Sequence, residues 1–98
     1  MELNIQNESG GKVVALSGRM TSRDYEPFKE LLAIFEESGM SRVVFDFSAV
    51  EFVDSTALGM VLMVRDKAQK QGIAFSMRGV KGQVKRLMDV VKLSQLVQ

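Results

Sequence analysis

The sequence predicts an α/β fold: a single domain over residues 1–98 in which a mixed four- to five-stranded sheet has helices packed on it, in the order β-β-α-β-α-β-α. Three observations predict it. The chain opens with two segments of strand character around a glycine turn, continues with three stretches whose apolar residues recur at helical spacing, and sets short apolar runs between those stretches. Strands separated by helices imply parallel pairing through right-handed crossovers. With 98 residues, 46% of them hydrophobic, the chain can build one core and has no room for a second.

The elements follow in order. Leu3, Ile5 and Asn7 alternate with Asn4, Gln6 and Glu8, and Ser9-Gly10-Gly11 is a turn signal ahead of Val13-Val14-Ala15-Leu16, so the opening reads as a hairpin. Gly18 is expected to end its second strand. From Asp24, the best N-cap, Phe28, Leu31, Leu32 and Phe35 fall at i, i+3, i+4 and i+7, with Pro27 in the first turn, where a missing N–H costs nothing. Gly39 is expected to stop that helix. Arg42-Val43-Val44-Phe45-Asp46-Phe47 then reads as a short, central strand. The next helix begins near Ser55 and runs to about Gln71, with Gly72 as its stop. Ile73-Ala74-Phe75-Ser76-Met77 forms a further strand, and a helix from about Gly82 places Val84, Leu87, Met88 and Val91 on one stripe. A last apolar turn uses Leu93, Leu96 and Val97.

Composition narrows the chemistry. Net charge is +1, from 13 basic and 12 acidic residues without long runs of one sign, so no nucleic-acid footprint is expected. No apolar segment is long enough to span a bilayer, and Met1-Glu2-Leu3-Asn4 lacks the basic flank and apolar core of a signal peptide. A cytoplasmic protein that engages neither nucleic acid nor membrane is expected. Without histidine or cysteine there is no Ser-His-Asp or Cys-His arrangement, no zinc site of the usual ligands and no imidazole acid–base group. Gly10-Gly11 lacks the following Gly-Lys-Ser/Thr of a phosphate cradle. No enzymatic activity, cofactor or metal is expected.

The densest functional signal is Phe52-Val53-Asp54-Ser55-Thr56-Ala57-Leu58-Gly59-Met60, where small polar residues stand between an apolar strand and an apolar helix. Asp54 and Ser55 are both good caps, and the free N–H groups of a helix start favour an anion. Taken alone, the pair reads first as a cap, with Ser55 as a candidate switchable hydroxyl. Met60 and Met63 are surplus to the helix's core stripe: they are either gap-fillers or, if exposed beside Ser55, an adaptable docking surface.

The whole chain, in length and element order, resembles a STAS domain of the anti-sigma factor antagonist type from bacterial partner-switching systems. Val43-Val44-Phe45-Asp46-Phe47 through Val53-Asp54-Ser55-Thr56-Ala57-Leu58-Gly59 is similar to that family's signature, with weaker likenesses at Leu16-Ser17-Gly18 and at Val84 to Val90. The resemblance implies a STAS-like fold. It also implies a serine, here Ser55, phosphorylated by a partner that is both serine kinase and anti-sigma factor. The unphosphorylated form would sequester that partner and release sigma, and a serine phosphatase would act on the phosphorylated form. Asp54 would shape the loop, with Thr56 as a neighbouring cap or a second acceptor. Partner-binding residues would be Asp54, Ser55, Thr56, Ala57, Met60, Arg19 and Thr21. Two positions depart from the family pattern: Ala57 replaces a common glycine, and Thr21 stands where many relatives carry aspartate, which implies a partner of different electrostatics. Two other classes remain: a constitutive STAS subunit of a larger assembly, transporter-associated or stressosome-like, with Ser55 only as a helix cap; and an enzyme with Ser55 as nucleophile, disfavoured by the missing imidazole.

Overall fold

In the computed structural model, which describes residues 1–97, four strands form one mixed sheet in the order β1-β2-β3-β4. Strand β1 (Glu2–Glu8) pairs antiparallel with β2 (Gly11–Met20), which pairs parallel with β3 (Arg42–Val53), which pairs parallel with β4 (Ala74–Arg78). The helices are α1 (Tyr25–Leu31), α2 (Ser55–Gln71) and α3 (Gly82–Val90), with 3-10 turns before α1 at Ser22–Asp24, after it at Leu32–Glu36, and after α3 at Ser94–Leu96.

Register explains the core. Val14 pairs with Phe45 and Phe45 with Met77, so these residues share one sheet face. They are fully buried with Phe28 and Phe35 from the α1 region and Ala57, Met60, Val61 and Val64 of α2. Phe45 is the hub: its ring meets Phe28 edge-on at 6.0 Å and Phe75 edge-on at 5.1 Å, contacts worth about 0.5–1.5 kcal/mol each beyond burial. Val13 and Val44, in register on the opposite face, are buried outside that core.

Five expectations are corrected. Gly18 does not end the second strand; at φ 84 it marks a register irregularity, and pairing resumes through Arg19 and Met20. The third strand is not short, because it runs on to Val53 beside β2 after β4 has left it at Asp46. Asp24 precedes α1 but makes no side-chain cap to it. Its carboxylate instead accepts from Thr21 N at 2.9 Å, completing a capping box, and from the Met1 ammonium at 3.3 Å. The stripe Phe28 to Phe35 is helical throughout but tightens to 3-10 geometry from Leu32. Finally, Met60 is corrected as a partner-binding residue and fits the gap-filler reading: it lies in the core at 1% exposure, because α2 packs against α1, the Leu32–Glu36 turn, β3 and β4 and so has apolar neighbours on more than one side.

Candidate partner-docking site at the start of α2

Three segments converge where β3 hands over to α2. Asp54 is the joint. Its backbone, at φ −99 and ψ −179, is extended as an N-cap requires, and its Oδ1 accepts from Ala57 N at 2.8 Å. Its Oδ2 accepts from Ser22 N at 3.3 Å, and its own N–H donates to Met20 O at 3.2 Å. One residue therefore caps α2 and ties it to the end of β2. From the other edge, the Gln83 carboxamide reaches Val53: Oε1 accepts from Val53 N at 3.1 Å and Nε2 donates to Val53 O at 2.8 Å.

Ser55 follows this fixed joint as the first residue of α2, and it is exposed. Among the described residues its hydroxyl has no hydrogen-bond partner. The cap is Asp54, so Ser55 does not serve as a helix cap, and that part of the constitutive-subunit expectation is corrected. Thr56 is exposed beside it. Because the Asp54 side chain takes the third N–H of the helix, those of Ser55 and Thr56 have no intrahelical partner and the positive end of the helix faces the hydroxyls.

The remaining expected contact residues divide. Arg19 is exposed, its guanidinium 4.3 Å from the Phe52 ring centroid, which anchors a cation near the end of β2. Thr21 is half-buried as the N-cap of the Ser22–Asp24 turn, its hydroxyl accepting from Arg23 N at 3.4 Å. Met1, Arg19, Thr21, Arg23 and Asp24 line an open groove there. Ala57 and Met60 are buried at 0% and 1% and offer no side-chain surface to a partner. Met63 is half-buried, beside Leu32, Asp66, Lys67 and Lys70. Sequence reasoning missed Ser22 and Gln83, which act through a backbone N–H and a long-range side-chain bond that local patterns do not announce.

Among the described residues, no group of three or more acidic, histidine or cysteine side chains could hold a metal ion. No described helix is long and apolar enough to cross a membrane.

The fold is shared with solved anti-sigma factor antagonists and with part of an anion transporter. SpoIIAA of Bacillus, an anti-sigma factor antagonist, superposes in its unphosphorylated form with TM-score 0.86 at 12% identity, over 99% of this chain and 86% of that one. An anti-sigma factor antagonist from Mycobacterium paratuberculosis gives 0.83 at 22% identity, over 96% of this chain and 80% of that one. The murine anion transporter solute carrier 26 family member A9 gives 0.77 at 17% identity, over 94% of this chain and 16% of that much longer one. A family model described as "Mlab, STAS domain" matches residues 3–98, and the chain belongs to the STAS domain family.

Proposed function

We propose that this STAS domain is an anti-sigma factor antagonist: a non-enzymatic binding module that sequesters an anti-sigma factor with serine kinase activity. Phosphorylation of Ser55 switches it off, and a serine phosphatase restores it. The observation that carries this reading is the exposed, unbonded Ser55 hydroxyl one residue beyond a cap already supplied by Asp54. The likeness to SpoIIAA, solved in unphosphorylated and phosphorylated forms, supports it.

The physics favours a switch in binding rather than in fold. A phosphate at the first turn gains the helix dipole and the free amides, so the domain keeps its structure. The added charge, about −1.5 to −2, falls within the docking surface, where it must be desolvated and repels partner carboxylates. A loss of about 3 kcal/mol, about a hundredfold in affinity, is expected. Asp54, Ser55, Thr56, Arg19 and Thr21 form that surface, while Ala57 and Met60 support it from beneath.

A second reading is favoured by the likeness to part of a much longer anion transporter: a constitutive STAS subunit of a larger assembly that uses the same surface without a switch. Intact mass with phosphopeptide mapping on protein purified from its native cells separates the two. Phosphate on Ser55 supports the antagonist. Protein that never carries it, held in one complex throughout, supports the constitutive subunit.

A further inference from the structure

We infer that Gln83 is the positioning residue of the Ser55 site, and that through it the first turn of α3 registers what is attached to Ser55. The inference rests on the reading of Ser55 as a regulated position. Strand β4 pairs with β3 only from Arg42 to Asp46, so beyond Asp46 that edge of β3 has no strand beside it among the described residues. At Val53, the last residue of the strand, the Gln83 carboxamide takes the place of the missing neighbour. It receives the Val53 N–H at 3.1 Å and gives a hydrogen to the Val53 carbonyl at 2.8 Å. A carboxamide bonded to both polar groups of one residue reproduces the paired exchange that an adjacent strand would offer. Both bonds are partly buried, which limits competition from water.

The opposite edge is fixed as well, by Asp54 N on Met20 O at 3.2 Å. The Val53–Asp54 peptide is therefore gripped from both sides immediately before Ser55. A rotation of that peptide that re-aims Ser55 must break the carboxamide pair or carry the start of α3 with it. Gln83 lies in the first turn of α3, and the segment from Lys81 to Lys92 carries four cations, Lys81, Lys85, Arg86 and Lys92, against Asp89 alone, which pairs with Lys85 at 3.3 Å. A partner that reads Ser55 thus meets a neighbouring basic element whose placement Gln83 sets.

The test compares unmodified protein with protein carrying phosphoserine at position 55, by amide NMR, in the wild-type and Gln83→Met backgrounds. Methionine keeps the length of the side chain and neither hydrogen-bonding group. In the wild type, phosphoserine is expected to shift the amides of Val53 and of Gln83 to Lys85. In Gln83→Met the α3 shifts vanish while those in the first turn of α2 remain. The Val53 amide exchanges at least about tenfold faster in Gln83→Met, while the Phe45 amide keeps its wild-type rate. Equal α3 responses in both backgrounds, no α3 response in either, or unchanged Val53 exchange overturns the inference. Gln83→Ala, which cannot overpack, is read by the same criteria if Gln83→Met fails to fold. Failure of the switch reading is separate: a native Ser55 without phosphate removes that reading and leaves these shifts as they are.

Discussion

The starts of α2 and α3 both attach to the end of β3, and they are built in opposite ways. Asp54 caps α2 with its own carboxylate and also ties it to Ser22, so the next side chain, Ser55, is released from any structural duty. At α3 the N-cap position belongs to Lys81, which has no acceptor to offer and makes no side-chain bond. That helix is held instead by Gln83, which spends its carboxamide on Val53. Where the cap residue does the anchoring, the following position is free to act as a signal. Where it does not, a residue inside the helix must anchor and is lost to the surface.

The largest expected effect breaks the approach to α3. Gly79, at φ 72, precedes that helix, and a Cβ there would overlap Ser48 Oγ and lie 2.8 Å from Ser48 N. Gly79→Ala should cost about 2–4 kcal/mol through strain and displaced backbone, read as a lower urea midpoint. Next comes the cap of α2: Asp54→Ala should cost about 1–2 kcal/mol, whereas Ser55→Ala should stay within about 0.5 kcal/mol of wild type in the same denaturation series. A comparable loss in both would mean that Ser55 shares the capping role, and the contrast between the two residues would collapse. The smallest effect sharpens the comparison from the other side. Lys81 has φ −153 and ψ 168, an extended conformation suited to a capping residue. Lys81→Asp should therefore stabilise by about 0.5–1.5 kcal/mol, visible as a raised melting temperature.

The contrast between these two helix starts was only half legible in the sequence. Element order, the α2 and α3 boundaries and the helical stripe of Phe28 to Phe35 could be read because periodicity and glycine stops are local signals. Asp54 as a cap was legible for the same reason. The distal half of β3 was not, since Ser48-Ala49 interrupts the apolar run and the pairing that continues the strand comes from β2, remote in sequence. Whether Met60 fills the core or meets a partner is not decided by local pattern, because it depends on which elements surround α2, and the structure packs that helix on several sides. The Asp24 carboxylate is drawn back from α1 to Thr21 because a 3-10 turn, too short to show a period, stands ahead of that helix. Gln83 was invisible because its function lies in a bond to a residue 30 positions away.

The central claim is that a charge on Ser55 changes binding and leaves folding alone. The measurement that tests it most directly pairs a thermal melt with retention of the native partner, for wild type and Ser55→Asp. Within about 3 °C of the wild-type melting temperature and with the partner lost, Ser55→Asp would behave as the account predicts. A Ser55→Asp protein that unfolds, or that folds and holds the partner as tightly as wild type, would contradict it.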